Sequence, residues 1–286
     1  MITFNNPNMT ESLAYLVEND IILAGIMRAL NSLGNRVEIR YNTKVEEFSI
    51  PGKEADGVKL PYVGLKLNDG SVLRTKLLIG ADGTNSAVRD AAKFHTVSRD
   101  YKQTAVVATL ILGDSYINNT AWQRFLPTGP IAYLPLSDNI SSLVWSTSPE
   151  NAKHLKELSS ESFVDAVNDA MFHEREKDAL AGKVLEVFST TMQNIIPDTE
   201  TSRQLPPTVI DVQEGSRASF PLKLLHSSQY VQSRVALIGD AGHRLHPLAG
   251  QGVNLGFGDV ECLDKVLTEA VRSGADPGEM TSYILS

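Results

Sequence analysis

Apolar positions recur at helical spacing near the start of the chain. Ile22, Ile26, Ala29, Leu30 and Leu33 fall on one face of a helix. Asn19 or Asp20 can cap its start, and Gly34 can sit just past its end. The pattern then shortens to strand-like runs at Val37–Arg40, Lys44–Ile50, Tyr62–Leu67 and Ser71–Thr75. Asn68-Asp69-Gly70 is a turn signal that joins the last two as a hairpin. Pro51–Pro61, rich in Gly, Lys and acidic residues, reads as an exposed loop. Two further apolar runs, Leu77–Ile79 and Val235–Ile238, each end in Gly and Asp, at Gly80-Ala81-Asp82 and Gly239-Asp240. Each reads as a buried strand that delivers polar groups at its carboxyl end. A helix over Ser86–Ala92 follows the first. After the second, Val253, Phe257, Val260, Leu263 and Leu267 form the apolar stripe of a longer helix.

The middle of the chain has another texture. Strand-like runs at Thr104–Leu112, Ile131–Leu136 and Ser142–Ser146 accompany one amphipathic helix, with Phe163, Val164, Val167, Ala170 and Met171 on one face. The expected fold class is α/β plus α+β: an incomplete Rossmann-like domain, residues 1–94 and 231–286, with a mixed-sheet domain, residues 95–230, inserted between its two pieces. No internal repeat is present.

Composition narrows the function. No apolar run approaches the ~18 residues of a membrane span. The net charge of −8, without a Lys/Arg-rich block, argues against nucleic acid as a partner. A single cysteine, Cys262, excludes internal disulfides and multi-cysteine metal sites. It lies beside Leu263 and reads as a small core residue. Trp122 and Trp145 sit in strand-like runs and read as packing residues. His243 and His246 are three apart, but Pro247 suits a loop better than a ligand helix, so no metal is expected.

The candidate chemistry lies in the two Gly/Asp turns. In Gly239-Asp240-Ala241-Gly242 through His246-Pro247-Leu248-Ala249-Gly250-Gln251-Gly252-Val253-Asn254, a strand leads through an Asp-bearing turn into a Gly-rich loop that opens a helix. Glycines let a ligand approach the backbone. The helix N-terminus offers unpaired N–H groups and a positive dipole end. Asp240 is placed to accept hydrogen bonds from ribose or ribityl hydroxyls. The composite suits a dinucleotide whose ring gains negative charge. In Gly80-Ala81-Asp82-Gly83-Thr84-Asn85-Ser86-Ala87-Val88-Arg89, Asp82 and Arg89 flank a tight turn. Asp82 can equally be a helix cap that pairs with Arg89 on the surface.

Together these segments resemble the class A flavoprotein monooxygenases, the aromatic-ring hydroxylases that bind FAD in a para-hydroxybenzoate-hydroxylase-like fold. His246–Asp259 is similar to the signature of their ubiquinone-biosynthesis branch. Ala121–Pro127, Pro135–Asp138, Leu143–Thr147 and Arg203–Pro207 resemble its eukaryotic mitochondrial members, which act on the C5 position of the ring. The resemblance implies Asp82, Gly83 and Arg89 near the FAD pyrophosphate, and Gly239 and Asp240 on its hydroxyls. It implies Pro247, Gly250, Gln251, Gly252, Val253 and Asn254 at the flavin ring. It further implies oxygen transfer from a C4a-hydroperoxide to a prenylated phenol, with O2 as co-substrate. The implied partners are ferredoxin and its reductase as electron donors and a ubiquinone-synthesis enzyme complex. The implied location is the matrix side of the mitochondrial inner membrane, held peripherally. It names no catalytic acid or base.

The chain departs from that family in two motifs: no Gly-x-Gly-x-x-Gly occurs in it, so the usual cradle for the ADP half is missing, and the family's later acidic ribose contact is missing as well. Its ends read as truncated relative to the family. Two alternatives therefore stand beside the hydroxylase: a non-catalytic chain unable to hold FAD, and a hydroxylase of a different phenol.

Overall fold

The computed structural model of the chain describes residues 12–51, 61–113, 117–172 and 205–279. The chain forms two compact units. One joins Gln103–Pro221 with the described residues up to Arg28, and the other joins Ala29–Lys102 with the described residues from Leu222 onward. The loop expected at Pro51–Pro61 lies almost wholly outside the described residues, as do His173 and most of the segment before Leu205.

Helix α1 (Asn19–Ser32) forms where the periodicity predicts, and Gly34 follows it at φ +57°. Its apolar stripe is not buried: no residue of α1 is fully covered, and Ile26 is 43% exposed. Val37–Arg40 corrects a second expectation. Val37 is extended, at φ −127° and ψ 128°, but the segment joins no ladder among the described residues. Extended backbone becomes a strand only when a neighbour accepts its hydrogen bonds.

The strands β1 (Val45–Ser49), β2 (Val63–Leu67) and β3 (Val72–Thr75) form an antiparallel sheet. The hairpin has Leu65 opposite Leu73. Gly70 takes φ +82° in the turn, where Asp69 Oδ1 accepts from the Ser71 N–H at 2.8 Å. Strand β4 (Leu78–Gly80) and helix α2 (Ala87–Ala91) follow. Val63, Leu65, Val88, Ala92 and Phe94 are buried together with Val235, Leu237 and Ala241 from the far end of the chain. That core is the base on which the two Gly/Asp turns stand.

The inserted unit is built on β5 (Thr96–Leu112), β6 (Trp122–Leu126), β7 (Gly129–Ser137) and β8 (Ile140–Thr147). All neighbouring pairs are antiparallel, in the order β5-β8-β7-β6. Helices α3 (Pro149–Glu157) and α4 (Ser160–Phe172) contribute to one apolar core with the sheet. Val106, Leu110, Ile131, Tyr133 and Leu143 are buried with Phe163 and Val167. The period-2 alternation leaves Val107, Thr109, Ala132 and Val144 half-buried. Trp145 is buried in this core and Trp122 packs against it, as packing residues should. β9 (Val209–Val212) pairs with β5, and β10 (Ala218–Ser227) carries the chain out. The divisions between units fall inside α1, at Arg28/Ala29, and inside the strands β5 and β10, at Lys102/Gln103 and Pro221/Leu222.

The last segment holds β11 (Val231–Gln232), β12 (Val235–Leu237), β13 (His243–Arg244) and α5 (Gln251–Arg272). β12 lies between β11 and β4 and runs parallel to β4, with Leu237 opposite Gly80. Arg234 ties the end of the segment down. Its guanidinium donates to Asp276 Oδ2 at 2.6 Å and to the Lys76 carbonyl at 3.0 Å, and its N–H donates to the Gly278 carbonyl at 2.7 Å. In α5 only Ala270 is buried. The expected core stripe is a surface instead: Val253, Phe257 and Val260 are each about half exposed. Cys262 is likewise exposed rather than in a core.

Candidate functional site

Because β4 and β12 are adjacent and parallel, both Gly/Asp turns leave the same edge of one sheet. That edge, beyond the carboxyl ends of parallel strands, is where α/β folds hold ligands. The turns also touch. Thr84 Oγ1 donates to Asp240 Oδ2 at 3.2 Å, and the Ile238 N–H donates to the Gly80 carbonyl at 3.0 Å. Asp82, Gly83 and Arg89 are thus brought together with Gly239 and Asp240.

The roles inside the first turn differ from each other. Asp82 Oδ2 accepts from the N–H groups of Ala87 at 2.7 Å and Val88 at 3.2 Å, and Ser86 Oγ accepts from the Arg89 N–H at 2.9 Å. Two side chains therefore cap the short α2. Arg89 does not pair with Asp82 on the surface. It is buried, and its Nη1 donates to the Ala241 carbonyl at 3.1 Å while Nη2 donates to the Thr84 carbonyl at 3.0 Å. One guanidinium fork holds the two turns together from beneath.

The second turn runs through Gly239 at φ +58°, a conformation that favours glycine. Asp240 beside it is exposed. The Gly-rich loop opens at Pro247, and Gly250 takes φ +60° as the residue before α5. No side chain caps α5 there. The Asn254 amide folds back to the Gly250 carbonyl at 3.2 Å, which steadies the left-handed residue. A methyl group placed on Gly83, Gly239, Gly250 or Gly252 would meet nothing within 4 Å, so bare backbone faces open space at all four. Gln251, Val253 and Asn254 are exposed. His246 braces the loop: its Nδ1 accepts from the Leu248 N–H at 3.2 Å, and Tyr101 meets its ring edge-on at 5.2 Å. Burial lowers the His246 pKa, so the neutral ring that can accept is favoured near pH 7.

One brace was not legible as such in the sequence. Asp259, on α5, accepts from the Gly239 N–H at 2.8 Å and meets His243 Nε2 at 2.7 Å. The signal was only an Asp at the end of the Gly-rich signature, eight residues inside the helix.

The donor set suits part of a flavin dinucleotide. The exposed Asp240 carboxylate accepts from hydroxyls. The uncapped start of a 22-residue helix offers N–H groups and a positive dipole end to a ring that becomes anionic. The described residues hold no cluster able to bind a metal ion and no helix long and apolar enough to cross a membrane.

Similarity to known proteins extends over nearly the whole chain. Residues 22–284 match the family described as FAD binding domain. The chain is 48% identical over 280 residues to the mitochondrial ubiquinone biosynthesis monooxygenase of Danio rerio, covering 98% of this chain and 58% of that protein. It is 46% identical over 281 residues to the protein of that name in Homo sapiens, covering 98% and 60%. The chain thus spans about three-fifths of the curated relatives it matches. Among solved structures, pqsL of Pseudomonas aeruginosa, described as a "probable FAD-dependent monooxygenase", superposes with a TM-score of 0.65 at 23% identity, over 91% of this chain and 62% of that one. Aklavinone-11 hydroxylase in complex with FAD and aklavinone gives 0.54 at 18% identity, over 90% and 42%. At these identities the structures speak for the fold.

Proposed function

This chain belongs to the FAD binding domain family, and from that premise we propose that it serves a flavin-dependent monooxygenase of ubiquinone biosynthesis that hydroxylates the aromatic ring of a prenylated phenol with O2. The reading is carried by one observation: two Gly/Asp turns, 156 residues apart at Thr84 and Asp240, joined at the carboxyl ends of adjacent parallel strands beside an uncapped helix start. The names of the relatives support the reaction and the mitochondrial location.

FAD, when bound and reduced, supplies the activation of O2. Asp240 holds ribityl or ribose hydroxyls. The N–H groups from Gly250 to Asn254 would hold the flavin ring, and as fixed dipoles they would stabilise its negative charge without reorganising. Pro247 would shape the loop that receives it. Arg89 fixes the spacing of the turns through their carbonyls, so its contribution to the pyrophosphate region is made through Thr84 and Gly83. The half-buried face of the inserted sheet, around Val107, Thr109, Ala132 and Val144, supplies an apolar, hydroxyl-bearing surface for a lipid-like phenol. Ferredoxin and its reductase supply the electrons, and the protein works at the matrix face of the inner membrane within a ubiquinone-synthesis complex.

Two measurements test this reading. The purified chain, given saturating FAD, is expected to show the visible bands of bound flavin. Expressed in a cell lacking its own ring hydroxylase, it is expected to restore ubiquinone. A colourless protein would overturn the cofactor assignment. A yellow protein that restores no ubiquinone would overturn the substrate assignment.

A further inference from the structure

One carboxylate on α5 grips both ends of the Asp240 turn. Asp259 Oδ2 accepts from the N–H of Gly239, where the turn begins, and lies 2.7 Å from Nε2 of His243, where it ends. An ionised carboxylate only accepts, so the imidazole donates through Nε2. The surroundings keep that imidazole in place. His243 is buried, and the Tyr230 ring meets it edge-on at 5.8 Å. The Tyr230 hydroxyl is in turn held to His226 Nδ1 at 2.8 Å. Gly256, one helical turn before Asp259, brings α5 against the Gly239 Cα: a methyl group on it would lie 3.6 Å from that atom.

We infer that Asp259 and His243 are positioning residues of the flavin site, which lock the Gly239–Gly242 turn to α5 so that the Asp240 carboxylate and the N–H groups opening α5 keep one mutual geometry. The inference rests on the flavin reading above. Its physical ground is preorganisation. A ligand that engages the turn and the helix start together binds tightly only if their separation is already set. Nonpolar contact at Gly256 would be enough to dock the helix, but it would not fix the register of the turn along it. Two charge-assisted bonds to one carboxylate oxygen do.

The test uses the full 286-residue chain with Asp259→Ala, Asp259→Asn and His243→Ala. Two quantities are read: amide hydrogen exchange at Gly239, and FAD affinity from quenching of flavin fluorescence. Asp259→Ala is expected to speed exchange at Gly239 and to weaken FAD binding, each by about tenfold or more, the effect of losing bonds to a charged group. Asp259→Asn keeps an oxygen able to accept both bonds and should stay within about threefold of the wild type. Exchange in β4 and β12 should not change, which separates loss of the clasp from loss of the fold. Unchanged exchange at Gly239 in Asp259→Ala would overturn the clasp. Faster exchange with unchanged FAD affinity would overturn its role in the site. A wild-type chain slow to exchange at Gly239 but unable to bind FAD would instead overturn the flavin reading, and the positioning role with it. Should Asp259→Ala not fold, His243→Ala carries the test, because it leaves the Gly239 bond in place. Wild-type affinity in that variant would refute the inference.

Discussion

Removing the Arg89 guanidinium separates two accounts of this residue. The geometry makes it an internal fastener, with Nη1 on the Ala241 carbonyl and Nη2 on the Thr84 carbonyl. Its side chain is only 9% exposed, so water cannot readily replace it. A hydrogen bond to a charged group contributes about 1.5–3 kcal/mol. Arg89→Ala loses two and also the packing of the stem, so a loss of about 3–6 kcal/mol is expected. That is a large part of the ~5–15 kcal/mol that keeps a domain folded. Arg89→Lys is the gentler probe. A single ammonium lacks the planar fork that spans both carbonyls, so about one bond, or ~1.5–3 kcal/mol, should go. Urea unfolding followed by circular dichroism measures both, alongside FAD affinity. If Arg89 instead reached a ligand pyrophosphate, stability would hold and only affinity would fall. Stability of Arg89→Ala within about 0.5 kcal/mol of wild type, the range of ordinary surface substitutions, would refute the fastener.

Two further predictions concern the frame around the site. A side chain at Gly80 would begin with a Cβ only 2.8 Å from Leu237 Cδ2 and 2.9 Å from the Val88 Cβ, so Gly80→Ala should lower stability by about 1–3 kcal/mol through overpacking, read as a lower urea midpoint with unchanged slope. The Asp276 pKa is lowered by its hydrogen bond from Arg234 and by the Gly278 N–H. A lowered folded-state value means stability fully present above the unfolded value near 4 and lost as pH falls through the folded one. Asp276 is 39% exposed, so after allowance for solvent screening Asp276→Asn should cost about 1 kcal/mol at pH 7. That gap should begin to narrow as pH falls below about 4 and close below the lowered folded-state value. A gap that persisted at pH 2 would show that charge is not its source.

The elements that read correctly from the sequence are those whose partners lie within a few residues or within one repeating pattern. The Asn68-Asp69-Gly70 hairpin, the buried face of α4 and the two strands ending in Gly and Asp are all local signals. What failed was a question of company. Periodicity gave α1 and α5 an apolar face, yet Ile26, Val253 and Phe257 are exposed, because the pattern says that a face exists and nothing about what covers it. Val37–Arg40 likewise finds no strand neighbour among the described residues. Cys262 was placed in a core by its neighbour Leu263, but successive helical residues point about 100° apart, and Cys262 is exposed while Leu263 is half-buried. In the site, the turns and their glycines were legible. The burial of Arg89 was not, since arginine is rarely buried unless paired, and apart from the Asp90 carboxylate, 3.5 Å from Nε, its partners are backbone carbonyls that carry no sequence signature. The grip of Asp259 on Gly239, 20 residues away, was hidden for the same reason.

The joining of Thr84 to Asp240 across 156 residues also sets a timetable during synthesis. At roughly 5–20 residues per second, the ribosome takes about 8–30 s to deliver the second half of the cradle after the first. Throughout that interval Leu78-Ile79-Gly80 has left the tunnel without β12, its neighbour in the finished sheet. An unpaired apolar strand is a target for other nascent chains and for chaperones. The inserted unit must be made inside that window, so the same connection that joins the two turns also decides how long the first of them waits unprotected.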